Sequence, residues 1–307
     1  MLKKITLLAV IVVAARAAYA APILITACRD VTTQGAYQLA NNLNAAGNCL
    51  VLKASGVAID LNGFVIAGNG TGAGITDAGV QRLNVTIRNG AIQQFNTAID
   101  LSHSQVIAIE QVTVTNNHNG IMAGPYATVS DSFIGFNTAT GTLLGNFCAV
   151  RDNRVNNNSG SVGIDGGDYC SIIGNNASGN QVNVAIAAGR KVLVKQNNAS
   201  NNAGIGIQVQ DGSTVADNVA SFDGILGIEG NFNTTIARNT TSFGKKDGIQ
   251  TGGGSVVYNN TASSNVRIGF FINCPTNLIG NSAHANPTGN FNLVVFGGAN
   301  CTSYNNF

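Results

Sequence analysis

Asparagine recurs at an interval of 21 residues through the second half of this chain. Two sets of apolar residues keep nearly the same interval over most of the sequence, and one of these sets includes Ile207, Ile228 and Ile249. A fixed period near 21 over most of the chain is typical of a solenoid, in which each repeat stacks only on its neighbours. The asparagines of the clearest series are Asn176, Asn197, Asn218, Asn239 and Asn260.

Each repeat is divided into short segments that have the pattern of β-strands. The segment 205–210 alternates apolar and polar residues, is rich in β-branched side chains, and is bounded by Gly and Asn. After the first fifty residues, no segment combines a helical apolar period with a cap. The sequence therefore predicts an all-β fold, a single-stranded right-handed parallel β-helix of about 10–11 turns of ~21–22 residues.

The repeated asparagines have a structural explanation in such a fold. Equivalent positions of successive turns lie about 4.8 Å apart, which is the ordinary spacing between strands. An Asn at a bend can then hydrogen-bond to the Asn of the next turn and adopt the left-handed conformation that bends require. We expect a ladder of stacked amides rather than a ligand site.

Composition excludes two classes of partner. Charged residues make up 10% of the chain, the formal net charge is +2, and Trp is absent. There is no basic patch for nucleic acid and no polybasic tract for a membrane surface. The surface is expected to consist largely of Asn, Ser, Thr and Gly.

The N-terminus has the pattern of a bacterial signal peptide. Lys3 and Lys4 precede an apolar run, and the small residues 18–20 form a cleavage site. The apolar run is too short to span a membrane. We therefore predict a signal peptide at 1–20, an N-terminal cap at 21–50 and the β-helix at 51–307, with a secreted or periplasmic location.

Six cysteines in an exported chain predict disulfides. The sequence alone leaves many pairings open. The repeat places Cys148 and Cys170 on adjacent turns, at a separation that a disulfide accepts. The same logic suggests a pair that ties the cap and a pair that ties the last turns, which are Cys28 with Cys49 and Cys274 with Cys301. No Cys-x-x-Cys is present and the three His are far apart without an identifiable partner, so no metal site is expected.

The start of the mature chain resembles a known family. The segments 28–39 (CRDVTTQGAYQL), 48–52 (NCLVL) and 57–66 (VAIDLNGFVI) are similar to the opening of bacterial right-handed parallel β-helix proteins of the pectate-lyase-like superfamily. The later repeats resemble the carbohydrate-binding and sugar-hydrolase repeats of that group. The resemblance covers nearly the whole mature chain and implies the fold. It implies function only loosely, because the superfamily includes lyases, hydrolases, epimerases and adhesins.

The family layout implies a sugar cleft along the strands that begin with Gly-Ile. The residue after each apolar anchor should then face outward, which gives the row Asp165, Ala187, Gln208, Glu229, Gln250 and Phe271. The preceding loops should bring Asp223, Lys245, Lys246, Asp247 and Arg267 to the same face. The expected catalytic residues are Glu229, Lys246, Asp247 and Arg267. The expected substrate-binding residues are Gln208, Asp223, Lys245 and Gln250.

Distance limits the chemistry of this face. Asp165 and Glu229 lie three turns apart, about 14 Å, which is too far for the paired carboxylates of a glycosidase. A lyase or uronate epimerase needs less, namely a cation against the uronate carboxylate and a base for the C5 proton. Calcium stays open without a clear acidic cluster to support it, and no other cofactor is expected.

Two functions from different classes remain open. The first is an exported β-helix that binds polysaccharide or serves as a surface or structural module without catalysis, and the scarcity of charge favours it. The alternative is a polysaccharide lyase or uronate epimerase that acts on an acidic polysaccharide in the first-strand cleft. Phe222 and Phe243, one turn apart, are expected to stack, and we favour the interior of the coil for them over an exposed platform.

Overall fold

The chain folds into a parallel β-helix. The structure, a computed structural model, describes residues 21–295 and 298–307. The predicted signal peptide at 1–20 lies outside these residues. Every pairing between the strands is parallel, so each turn of the coil hydrogen-bonds to the turn before it and the turn after it. In the described part of the chain, no helix is long and apolar enough to cross a membrane.

Face 1 is the 13-stranded sheet that contains the Gly-Ile segments. Its 13 strands correspond to 13 turns, compared with the 10–11 predicted. The difference lies in the expected cap, because its strand Arg29–Val31 already pairs with Leu50–Leu52 in this sheet. The strands of face 1 are Arg29–Val31, Leu50–Leu52, Ala73–Thr76, Thr97–Leu101, Asn119–Ala123, Thr140–Leu144, Ser159–Gly166, Gln181–Ala188, Ile205–Val209, Ile228–Gly230, Ile249–Thr251, Ile268–Cys274 and Gly289–Val295.

Face 2 follows face 1 in each turn and carries the second set of apolar anchors. Its inward residues, among them Val215, Ile236 and Val257, are fully buried in the core. The strands of face 2 are Ile23–Ile25, Gly35–Leu39, Val57–Asp60, Leu83–Gln93, Gln105–Thr115, Ala127–Ser130, Ala149–Arg151, Ser171–Ile173, Leu193–Lys195, Thr214–Ala216, Thr235–Ala237, Ser255–Tyr258, Thr276–Ile279 and Thr302–Tyr304.

Face 3 closes each turn. The two longest strands of face 2, Leu83–Gln93 and Gln105–Thr115, bend at a left-handed residue and continue into face 3. In the middle turns face 3 narrows to single bridges, such as Asn198 with Val219. The remaining strands of face 3 are Leu43–Asn44, Val65–Ala67, Phe133–Gly135, Arg154–Asn156, Thr240–Ser242, Thr261–Ser263 and Ser282–His284.

A buried amide ladder runs along the corner between faces 2 and 3. In each turn the Asn side chain donates from Nδ2 to Oδ1 of the next Asn, as Asn197 does to Asn218 at 3.0 Å. The backbone N–H of Asn197 donates to the same oxygen at 2.8 Å. Both donors at the corner are thereby satisfied without water. The members of this first ladder are Asn153, Asn175, Asn197, Asn218, Asn239, Asn260, Asn281 and Asn306.

One prediction for the asparagine series was wrong by one position. Asn176 is exposed, and its neighbour Asn175 occupies the ladder. The hydrogen-bonded spacing from Asn175 to Asn197 is 22 residues rather than 21. An extra residue in that turn shifts the chain, so a strict 21-residue extrapolation selects the wrong member of an Asn-Asn pair.

A second amide ladder, which the sequence analysis missed, runs along the corner between faces 3 and 1. Asn180 donates to Asn202 through Nδ2 at 3.3 Å and through its backbone N–H at 3.0 Å. Its members before the interruption are Asn117, Asn137, Asn158, Asn180, Asn202 and Asp223, and after it Asn265 and Asn286. The interruption is Gly244, whose N–H still donates to Asn265.

The conformation of the corners decides which residues face inward. Each ladder residue follows a residue with positive φ, as Asn218 follows Asp217 at φ 59°. The left-handed residue points its side chain to solvent, and the next residue points into the coil. The glycine before most face 1 anchors has a related cause. A Cβ on Gly206 would lie 2.5 Å from the Asp223 side chain of the second ladder.

The three predicted disulfides are confirmed. Cys28 with Cys49, Cys148 with Cys170, and Cys274 with Cys301 join adjacent turns, with Cα separations of 4.5, 4.5 and 4.9 Å. The spacing of stacked turns therefore brings each pair to the distance that a disulfide requires.

The first ladder can be tested by a single truncation. Asn218→Ala removes the acceptor of two buried donors on Asn197, so we expect the free energy of unfolding to fall by about 3 kcal/mol in chemical denaturation. The matched control is Asn176→Ala, which changes an exposed side chain and should shift stability by less than about 0.5 kcal/mol. Equal effects of the two substitutions would contradict the ladder assignment.

Candidate functional site

The outward row predicted for face 1 is confirmed by the strand register. Glu229 pairs with Gln208 on one side and with Gln250 on the other, and the row continues to Phe271. In the other direction it passes Ala187 and Asp165. All of these residues point away from the core because their neighbours in the strands, the anchors, point into it. The row is a straight line of side chains about 4.8 Å apart.

The loops before the strands bring basic residues to the edge of this row. These loops span residues 222–227, 243–248 and 264–267, and successive loops hydrogen-bond to each other in the same way as the strands. The N–H of Arg267 donates to the carbonyl of Lys246 at 3.0 Å, and the N–H of Lys245 donates to the carbonyl of Asp223 at 2.9 Å. Lys246 and Arg267 therefore occupy equivalent places in adjacent turns.

An open pocket of about 260 Å³ lies between these loops and the row. We call it the Glu229 pocket. Five of the eight residues proposed from the sequence line it, and they come from three turns of the coil. Its apolar wall was not identified from the sequence and consists of leucine and isoleucine side chains. The lining residues are Ile205, Ile225, Leu226, Glu229, Lys246, Asp247, Gln250 and Arg267.

One buried carboxylate, that of Asp247, lies beside the guanidinium in the pocket. The Asp247 side chain is only 8% exposed, and its Oδ1 lies 3.7 Å from Nε of Arg267. The same oxygen accepts the N–H of Ile268 at 3.1 Å. Asp247 thus accepts one backbone hydrogen bond and lies at ion-pair distance from Arg267, whose side chain is 50% exposed. The role of Asp247 that this geometry supports is positioning of the guanidinium.

Two further predicted residues lie beside the pocket rather than in it. Gln208 sits one turn before Glu229 and donates from Nε2 to its Oε2 at 2.8 Å, which fixes the orientation of the carboxylate. Lys245 is exposed on the loop next to Lys246. Its charge adds to the positive rim of the pocket.

Asp223 does not reach the pocket, and the expectation that it faces the cleft was wrong. The residue is fully buried and takes the place of an Asn in the second ladder. Its Oδ1 accepts the backbone N–H of Asn202 at 3.0 Å and Nδ2 of the same residue at 3.2 Å. Its Oδ2 is buried and has no hydrogen-bond partner among the described residues. Burial raises the pKa of the Asp223 carboxyl to about 8, since the hydrogen bonds from Asn202 offset only part of the desolvation.

This carboxyl makes the stability of the coil depend on pH. A folded-state pKa near 8, well above the unfolded value of about 4, gives stability that is complete below pH ~4 and is lost as pH rises to ~8. We expect Asp223→Asn to raise the midpoint of thermal unfolding at pH 8.5 and to flatten its decline between pH 5 and 8.5. The reason is that an amide carries no charge and supplies the ladder with a donor.

The control for this prediction is Asp152→Asn. It removes the same charge from an exposed left-handed corner residue, where Asn is equally well accommodated. A wild-type chain whose stability does not fall between pH 5 and 8.5, or an Asp223→Asn variant that keeps the wild-type pH profile, would contradict the assignment.

Phe222 and Phe243 stack as predicted but lie outside the coil. Their ring centroids are 4.8 Å apart and both side chains are 53% exposed. The preference for the interior was wrong, because both residues occupy left-handed corner positions directly before the second ladder. They stand beside the loops of the Glu229 pocket, with their ring faces turned to each other.

A second polar pocket on face 1 lies in the early turns. His103, which the sequence left without a partner, has its Nδ1 at 3.7 Å from Oδ1 of buried Asp77. Asp77 also accepts the hydroxyl of Ser104 at 2.8 Å. The lining residues include Asn48, Thr76, Asn96, Thr97, Asp100 and His103. The sequence gives no signal of this contact, because Asp77 and His103 are 26 residues apart and the period used to align the turns is about 21.

A model of one protein family matches residues 55–219, more than half of the 307-residue chain. The family is described as periplasmic copper-binding protein (NosD). No curated protein sequence matches the chain significantly.

Several solved structures are similar to the fold. The mannuronan C-5 epimerase AlgE4 A-module of Azotobacter vinelandii superimposes with a TM-score of 0.70 at 15% identity, over 90% of this chain and 89% of that one. The AlgE6 A-module of the same organism gives a TM-score of 0.56 at 15% identity, over 89% and 90%. A mutant of the periplasmic alginate epimerase AlgG gives 0.55 at 12% identity, over 88% and 77%. At these identities the likeness is one of fold.

Proposed function

The chain belongs to the NosD family of periplasmic β-helix proteins, and we propose that it is an exported protein that binds an acidic polysaccharide on face 1. In this proposal the coil is a binding or surface module without catalysis. The observation that carries it is the Glu229 pocket, where residues of three turns place basic and hydrogen-bonding groups around one opening.

The family description names copper, and the described residues do not fit a copper site. Copper sites in proteins draw on imidazole, thiolate and thioether ligands. All six cysteines are in disulfides. Within 21–295 and 298–307, no three His, Cys, Asp or Glu side chains are close enough to share an ion. The proposal therefore includes no metal.

The acidic character of the ligand follows from which charges are accessible. Lys245, Lys246 and Arg267 are exposed at the rim. Of the two pocket carboxylates, Asp247 is almost buried and Glu229 is half-buried, so accessible positive charge is in excess. A guanidinium held in place by a buried carboxylate binds a second carboxylate with little loss of side-chain entropy. Glu229 and Gln250 then offer an acceptor and an amide to sugar hydroxyl groups. The open shape of the pocket suits an extended polymer that passes across it.

Removal of the two pocket cations tests the proposal. We expect Lys246→Ala and Arg267→Ala each to weaken binding of an alginate or oligogalacturonate fragment about 5-fold, because each deletes one partly exposed charge contact worth about 1 kcal/mol. The double variant should lose most binding, and added salt should weaken the wild type as well. Isothermal titration calorimetry gives the affinities.

The matched control is Arg151→Ala, which deletes an exposed cation of face 2 in an earlier turn. It should leave affinity unchanged. If the double variant keeps the affinity of the wild type, the pocket is not the binding site. Failure of the wild type to bind any of alginate, pectate, hyaluronan and chondroitin would refute the proposed function.

One observation also favours a second candidate, a polysaccharide lyase or uronate epimerase. The Glu229 pocket brings a carboxylate, an ammonium and a guanidinium together. In such a reaction Arg267 would neutralise the uronate carboxylate and Lys246 or Glu229 would take the C5 proton. In a lyase the C4–O bond then breaks and a C4–C5 double bond forms. In an epimerase a proton returns to C5 from the opposite side.

The two functions are separated by product formation. Incubation with alginate or pectate in D2O detects both reactions, since a lyase yields unsaturated ends and an epimerase incorporates deuterium at C5. The binding function predicts neither product while the polymer is retained. If the wild type forms product, and Lys246→Ala and Glu229→Gln fold normally but form none, the protein is an enzyme and the non-catalytic binding function is wrong.

A further inference from the structure

A second opening lies at the other end of the same face 1 strands. It is a trough of about 640 Å³ at the corner between faces 1 and 2, and we call it the Phe232 trough. Phe232 follows the strand Ile228–Gly230 by two residues, so the trough and the Glu229 pocket share turns of the coil. The described lining residues are Phe232, Asn233, Gly253, Gly254, Asn273, Cys274 and Pro275.

The aromatic ring of Phe232 lies at a corner and stands apart from the stacked aromatics of the other corners. Its side chain is 57% exposed, and no described aromatic ring stacks on it. By contrast, Phe147 is sandwiched between Tyr126 and Tyr169 with centroid distances of 5.1 and 5.0 Å. The rings of Phe222 and Phe243 likewise cover each other. In each of those stacks at least one face of every ring is covered by another ring, whereas no described ring covers Phe232.

Glycine in the next turn keeps the Phe232 ring uncovered. The N–H of Asn233 donates to the carbonyl of Gly253, so Gly253 and Gly254 occupy the positions one turn after Phe232 and Asn233. Gly252, just before them, lies against the ring itself, since a Cβ on Gly252 would be 3.2 Å from Cδ1 of Phe232. No side chain of this segment 252–254 therefore fills the space beside the ring. On the other side, the Phe232 N–H donates to Oδ1 of Asp211 at 3.2 Å, which fixes the backbone that carries the ring.

The chemistry of the trough matches a sugar residue. None of its described lining residues is ionisable, since Cys274 is in a disulfide. An aromatic face, with the amides of Asn233 and Asn273 beside it, complements a ligand that has an apolar C–H face and hydroxyl groups at its edge. The lack of charge also separates this opening from the Glu229 pocket and its cations.

We propose that Phe232 is the stacking platform of a second carbohydrate subsite, which holds an uncharged sugar face of the same polysaccharide chain. This inference rests on the proposed binding function. Glu229 and Phe232 are three residues apart, so their Cα atoms are separated by at most about 10 Å. A polymer that contacts both therefore lies along the face 1 strands and across the axis of the coil.

The absence of Trp from the chain gives a direct test. Phe232→Trp creates a single-tryptophan protein whose indole lies in the trough, and a sugar that stacks on it should shift and sharpen its fluorescence emission. The control is Phe147→Trp, an indole between two tyrosines that a ligand cannot cover. We expect saturation with the bound oligosaccharide to change the emission of the first variant and not of the second.

Affinity provides the second readout. Phe232→Ala should weaken binding about 10-fold, as expected for loss of a central aromatic contact, whereas Phe147→Ala should not. Circular dichroism and thermal unfolding confirm that each variant is folded. The subsite is overturned, and the proposed function is left intact, if the wild type binds in a way that depends on Lys246 but the other two results are negative. In that case ligand does not change the emission of Phe232→Trp, and Phe232→Ala binds as tightly as the wild type. Absence of wild-type binding would overturn both.

Discussion

The structure depends on one requirement, that the backbone N–H and C=O groups of each turn form hydrogen bonds with the adjacent turns at one fixed spacing. Strands do this along the three faces, but a corner interrupts the sheet and leaves its N–H groups without partners. Two amide ladders supply those partners. In each, one Oδ1 accepts both the backbone N–H and the side-chain amide of the preceding turn, as in Asn197 to Asn218. The two corners that carry the ladders are therefore hydrogen-bonded from turn to turn, as the sheets are.

In a coil with this fixed register, the spacing of residues in the sequence decides which side chains are neighbours on the surface. Once the ladders and anchors set the register, every outward residue of face 1 has a known neighbour one turn away. Function then depends on the loops, which are free to vary between the last ladder residue and the next strand. The Glu229 pocket arises where three such loops carry Ile225, Lys246 and Arg267 at equivalent positions.

The sequence predicted what the period controls. The strand class, the outward row through Glu229 and the three disulfides all follow from residues that repeat at one interval, and all agree with the structure. Side-chain direction at the corners could not be predicted in the same way. A left-handed residue exposes its side chain and the next residue buries its own, so a shift of one position reverses the outcome. For that reason Phe222 is exposed, Asp223 is buried, and Asn175 rather than Asn176 joins the ladder.

Buried Asp223 and exposed Phe232 lie close together in the sequence but have opposite relations to the core. One is an acid that the ladder has drawn into the core, and the other is an aromatic ring that glycines in the next turn leave open. Both lie in the turns that form the Glu229 pocket, so these turns contain a ladder carboxyl with a buried oxygen that has no described partner and, at the next corner, an exposed aromatic ring.

Hydrogen–deuterium exchange of the wild-type protein, with and without a saturating acidic oligosaccharide, tests most directly that these turns of face 1 are the binding surface. Binding there should slow exchange of amides in residues 222–233 and 243–254, with little change elsewhere. Protection confined to the early turns around residues 72–79, or to faces 2 and 3, would contradict it.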